Sequence, residues 1–198
     1  MALKNIPFNE KYIHLIKNGG EEKTDEFKKI NPQQLIPVLT VNQDNINQSL
    51  AILEYLEECY PTPSLFPKDI MLKAQVRALA YSICCDIHPL NNLRVLQYLQ
   101  TNLKIDESKK DEWYCHWIQI GFQAIEEQLT RLDLNGPYCF GSQITLADIC
   151  LIPQAYNAIR FNCHFEQHKK LYSIYQNCME ISAFKLAAPE QQSDFESI

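Results

Sequence analysis

The hydrophobic pattern of the chain changes character at Ser49, and that change limits the fold more than any other feature. Before it the segments are short. Residues 8–15 alternate as a strand does, Lys17-Asn-Gly-Gly20 reads as a turn, and residues 24–30 form a brief polar helix. Asn31-Pro32 ends that helix, because the residue before proline is pushed out of the α region. Residues 36–41 and 46–47, joined by a turn over 42–45, read as a hairpin.

From Ser49 onward apolar residues recur at three and four. Leu50, Leu53 and Leu56 form one face; Met71, Leu72, Val76, Leu79 and Ile83 form another that runs on past Pro89 to Leu99. Trp113, Trp117, Ile120, Ile125 and Leu129 mark a long helix reaching to about Asn135-Gly-Pro137, and shorter helices follow over 145–158, 169–178 and 181–188. The expected architecture is an α/β domain over 1–63 and an all-helical domain over 68–198, separated by the proline-rich Ser64-Leu-Phe-Pro67. The polar tail after Pro189 is expected to fray.

A chain of 198 residues buries roughly 70% of its unfolded surface, so it needs neither disulfides nor structural metal. The net charge is −6 and the basic residues are scattered, which argues against nucleic acid and anionic membranes as partners. No window approaches eighteen apolar residues, and the N-terminus lacks a basic region followed by an apolar stretch, so a cytoplasmic protein is expected. None of the eight cysteines forms a Cys-x-x-Cys pair, and Cys115, Cys150 and Cys178 lie inside apolar helical patterns. Buried, reduced thiols in a reducing compartment follow as the expectation.

Ser49 sits where a helix begins, so its hydroxyl and the first-turn amides suit a carboxylate, and Gln48 adds an amide donor. Local sequence alone favours a plain helix cap. Thr145-x-x-Asp148 is a capping box assigned to folding. His164-x-x-x-His168 has a metal-ligand spacing but no accompanying carboxylate motif, so no metal is assigned. Trp113 and Trp117 read as core.

Asn31-Pro-Gln-Gln-Leu-Ile-Pro-Val-Leu39, Gln48-Ser-Leu-Ala-Ile-Leu-Glu-Tyr-Leu-Glu57, Tyr60-Pro-Thr-Pro63, Asp86-Ile-His-Pro-Leu-Asn-Asn-Leu93, Gly141-Ser-Gln-Ile-Thr-Leu-Ala-Asp148 and Asn157-Ala-Ile-Arg-Phe161 together resemble the zeta-class glutathione transferases, the maleylacetoacetate isomerase family. The resemblance implies a thioredoxin-like glutathione-binding domain, lacking its first strand, followed by a helical substrate domain. It implies a cis Ile36-Pro37 bond, with the Ile36 backbone on the cysteinyl part of glutathione and Gln48 and Ser49 on the γ-glutamyl end. His88 and Asn92, four apart and so on one helical face, are expected to approach glutathione and substrate, and Arg160 to bind a carboxylate of a small diacid. Without the resemblance, His88 reads as a kink residue beside Pro89 and Arg160 as half of a surface ion pair.

The implied reaction is the glutathione-dependent cis-to-trans isomerisation of maleylacetoacetate to fumarylacetoacetate in tyrosine and phenylalanine breakdown, carried out by a homodimer. Maleylpyruvate isomerisation, glutathione conjugation and dehalogenation are related alternatives. No serine precedes Ser49, so no residue inherits the family's catalytic serine, and the chain is expected to begin after the segment that carries it. On that expectation the chain as written binds glutathione weakly and lacks turnover. A catalytically inactive binding or dimerisation module is therefore a third reading.

Overall fold

In the computed structural model, which describes residues 1–195, the chain divides into two compact units: Met1–Ser64 with the segment from Ala183 onward, and Leu65–Ser182. The sequence expectation ran the helical domain to the C-terminus. The last segment instead gathers with the first unit, where Ser193 meets the Tyr12 hydroxyl.

In the first unit, α1 (Asp25–Ile30) starts at Thr24, whose Oγ1 accepts from the Phe27 amide at 3.2 Å. It stops at Asn31, which is extended before Pro32. β1 (Val38–Val41) and β2 (Asp44–Asn47) pair antiparallel with Val41 opposite Asp44, so the turn needs only Asn42 and Gln43. Asn42 takes the left-handed conformation, φ 58°, that asparagine tolerates best after glycine.

Residues 8–15 form no strand, contrary to their alternation. Strands exist by pairing, and the sheet of the described residues holds only β1 and β2, so this segment has no ladder and Phe8 and Tyr12 stay exposed. α2 (Ser49–Cys59) packs Ile52 and Leu56 with Ile6, Leu39 and Ile46. Lys4 is buried beside them, its ammonium satisfied by Glu57 (2.7 Å) and the carbonyls of Tyr60 (2.6 Å) and Pro63 (2.7 Å).

The second unit is a helical bundle. Its elements are α3 (Ile70–Tyr81), α4 (Leu93–Thr101), α5 (Glu107–Leu132), α6 (Leu146–Arg160) and α7 (Lys169–Met179), with a short α8 (Ser182–Leu186) beginning at its edge. Val76, Ile118, Phe122, Ile125 and Leu151 are wholly buried at its centre. Leu65 and Phe66, expected in a linker, are buried: Leu65 accepts from the Leu146 amide at 3.0 Å and Arg77 lies over the Phe66 ring. The capping box forms as expected. Asp148 is fully buried and accepts from the amides of Thr145 and Cys139 at 2.8 Å each and from the Thr145 hydroxyl at 2.9 Å.

The single apolar run expected from about 69 to 99 is broken. α3 passes into a π-helical turn (Ser82–Ile87), then a 3-10 turn (His88–Asn91), and α4 restarts after Asn92. Pro89 has no amide proton to continue the α pattern. α5 also presses close: a Cβ at Gly121 would fall 2.2 Å from Ile87 Cδ1, so any larger residue there requires the Ile87 side chain to move.

The cysteines depart from expectation at one place. Cys150 and Cys178 are buried free thiols, but Cys115 is half-buried and disulfide-linked to Cys163, with Cα atoms 5.0 Å apart. α5 runs beside the turn after α6, which joins cysteines 48 residues apart, beyond the reach of any local pattern. No helix of the described residues is long and apolar enough to cross a membrane.

Candidate functional site

On the first unit, one polar network ties the loop before Ile36-Pro37 to Gln48 at the start of α2. Asn31, 1% exposed, donates from Nδ2 to the Leu35 carbonyl at 2.7 Å and accepts at Oδ1 from the Gln33 amide at 3.1 Å and Asn47 Nδ2 at 3.2 Å. That closes the loop leading to Ile36-Pro37, whose peptide bond is cis. Gln33 Oε1 then accepts from Gln48 Nε2 at 3.0 Å, tying the loop to the start of α2. In the sequence Asn31 and Gln33 stand only as parts of a motif. Their organising role is visible only once the loop closes on itself.

The same network leaves binding groups open. Ile36 takes no part in the ladder, which begins at Val38, and is exposed. Ser49 is the first residue of α2 and Gln48 its cap position at φ 69°, but the Gln48 side chain makes no cap bond to the first-turn amides. Uncapped amides at a helix start attract an anion through their own donors and the helix dipole.

On the second unit, His88 and Asn92 do not share one continuous helical face as expected. His88 opens the 3-10 turn, whereas Asn92 is extended (φ −64°, ψ 142°) and caps α4, its Oδ1 accepting from the Arg94 amide at 3.1 Å. The break at Pro89 separates them, leaving the Asn92 Nδ2 to donate elsewhere. His88 is exposed at its edge, yet protein crowds the ring enough that desolvation lowers its pKa, so it is neutral at pH 7.

Arg160 ends α6 and is exposed, with no carboxylate partner among the described residues. Its guanidinium lies 5.9 Å from the centre of the Phe161 ring. The surface ion pair that the bare sequence allowed is therefore not formed. His164 and His168 do not act together: His164 is exposed, while His168 is buried with Nε2 3.0 Å from Gln119 Oε1. Trp113 and Trp117 meet edge-on at 5.6 Å, and Trp113 Nε1 donates to the Leu90 carbonyl.

Comparison with known proteins shows the family. The family described as Glutathione S-transferase, N-terminal domain matches residues 1–59. The chain is 45% identical over 194 residues to the "Probable maleylacetoacetate isomerase" of Vibrio cholerae, covering 98% of this chain and 89% of that protein. It resembles the holo structure of a maleylpyruvate isomerase, a bacterial zeta-class glutathione transferase, with a TM-score of 0.95, 42% identity, and coverage of 98% of this chain and 91% of the other. It also resembles a Methylobacterium extorquens maleylacetoacetate isomerase solved with bound malonate and glutathione, with a TM-score of 0.93, 28% identity, and coverage of 99% and 91%. On the identity and near-complete coverage of these relatives, the chain belongs to the zeta class of the glutathione transferases, the family of the maleylacetoacetate and maleylpyruvate isomerases.

Proposed function

We propose that this protein is a glutathione-dependent isomerase that turns a small cis-unsaturated diacid into its trans form. Maleylacetoacetate is the leading substrate and maleylpyruvate the close rival. The observation that carries the substrate class is Arg160: an exposed guanidinium at the end of α6, without a carboxylate partner among the described residues, suits bidentate recognition of a substrate carboxylate.

The first unit fits glutathione. Ile36 would pair its free backbone with the cysteinyl part as an added strand does, while Gln48, Ser49 and the uncapped amides of α2 would hold the γ-glutamyl carboxylate. When bound, glutathione supplies a nucleophilic thiol for the substrate's double bond. On the second unit, the neutral His88 ring and the Asn92 amide offer uncharged hydrogen-bonding groups, and Arg160 fixes one end of the diacid. In this reading Met1–Ser64 carries most of the cofactor contacts, and Leu65–Ser182 supplies the substrate contacts together with its His88 and Asn92, which approach both.

The test is to incubate the protein with maleylpyruvate, with and without glutathione, and follow products by NMR. The trans acid should form only with glutathione, which is recovered unchanged. A stable glutathione conjugate would make the protein a conjugating transferase. No glutathione-dependent conversion would make it a binding module.

A homodimer is part of the same proposal, supported by Ile70 and Met71, which stand 84% and 67% exposed at the start of α3. Sedimentation at micromolar concentration should give twice the chain mass, and a monomer contradicts it. A cytoplasmic setting is proposed on the three buried free thiols Cys139, Cys150 and Cys178, with the Cys115–Cys163 disulfide as the one feature against it.

A further inference from the structure

Arg160 lies in the last turn of α6, and that turn is already closed by its own backbone: the Phe161 amide bonds the Asn157 carbonyl at 3.1 Å and the Cys163 amide the Ala158 carbonyl at 2.8 Å. Ending the helix therefore needs nothing from α5. α5 nevertheless grips this turn at three places. Tyr114, 3% exposed, stacks on Phe161 with ring centres 3.8 Å apart and planes 19° from parallel. Cys115 is linked to Cys163, and the Gln119 amide donates to the Cys163 carbonyl.

An arginine has large rotamer freedom, and a bidentate grip on a carboxylate must give it up. A fixed aromatic ring next to the guanidinium reduces that loss. Phe161 is such a ring, and Tyr114 is what fixes it. Burial pushes the Tyr114 phenol up to about 12, partly offset by the Arg160 charge, so the hydroxyl stays neutral near the arginine.

We propose that Tyr114 is a positioning residue for diacid recognition: by stacking on Phe161 it fixes the direction of the Arg160 guanidinium and so sets the affinity for a dicarboxylate. The proposal rests on the reading of Arg160 as the carboxylate ligand. It assigns to Tyr114, which its helical spacing describes only as core, a part in substrate selection.

The experiment is calorimetric titration of the full chain with malonate as the probe, and separately with glutathione. Arg160→Met should weaken malonate binding by about 10- to 100-fold, the range for losing a charged hydrogen-bonded contact. Tyr114→Leu and Phe161→Leu should each weaken it by about three- to tenfold, as expected for losing one aromatic pair. Tyr114→Phe, which keeps the stack, should stay within about twofold, and glutathione affinity should be unchanged in both leucine variants. Added to Arg160→Met, Tyr114→Leu should have no further effect on malonate, because the two act through one contact. Phe161 is only half-buried, so Phe161→Leu reads the same stack even if Tyr114→Leu does not fold. Loss of malonate binding in Arg160→Met with none in either leucine variant overturns the role of Tyr114 alone. Unchanged malonate binding in Arg160→Met overturns the carboxylate reading beneath it.

Discussion

The two units present their candidate binding groups in opposite chemical terms. The first offers neutral donors and backbone: the open amides of α2, the Ile36 backbone and the linked amides of Gln33 and Gln48. The second offers a full charge on Arg160 and, elsewhere in the chain, a His88 ring whose pKa burial lowers. Neutral groups are individually weak, so they bind well only if the loop that carries them is set in advance. A charge needs less company but must be aimed. Accordingly the first unit fixes its loop with one buried asparagine, and the second holds its arginine turn with the side chains of a neighbouring helix.

The sharpest way to press this comparison is through the buried polar residue on which each unit depends. Asp148→Ala leaves two backbone amides and a hydroxyl unpaired in the core of the second unit, so it should cost about 3–5 kcal/mol in urea unfolding. A cost below about 1 kcal/mol would mean water replaces the carboxylate freely. Asn31→Ala should cost less, about 2–3 kcal/mol, but should also weaken glutathione binding by about tenfold while leaving malonate alone. Stability loss without loss of glutathione affinity would break the link between that loop and the cofactor.

The smallest expected effect is on pH dependence. Burial lowers the pKa of His168 below 6.5, partly offset by the Glu126 charge, and burial lowers that of His88 in the same direction. The unfolded chain therefore takes up these protons at higher pH than the folded one. Stability should be unaffected above pH 6.5 and should fall as the pH drops from 6.5 through the lowered folded values. His168→Gln should flatten that slope. An unchanged slope would place the titration elsewhere.

What the sequence made legible follows from the range of each signal. The hairpin, α2 and the Thr145–Asp148 capping box rest on neighbours within a few residues; α2 and the box form where their patterns lie, and the hairpin forms with a tighter turn, its second strand starting at Asp44 rather than Ile46. The Phe8-to-Leu15 alternation failed because a strand needs a partner, which alternation does not supply. The run through Pro89 failed because apolar spacing does not register a missing amide proton or the close approach of Gly121 to Ile87. At the candidate site, Ile36, Gln48 and Ser49 could be named from motifs. Gln33 and Tyr114 could not, since their roles lie in contacts 15 and 47 positions away, with Gln48 and Phe161.

The central claim is that glutathione and diacid are recognised by different residues on different units. The most direct test is a crossed titration of the Gln48→Ala/Ser49→Ala double variant and of Arg160→Met with both ligands. The double variant should lose about tenfold in glutathione affinity with malonate within about twofold, and Arg160→Met should show the reverse pattern. Parallel loss of both ligands in both variants, or wild-type malonate binding in Arg160→Met, would contradict it.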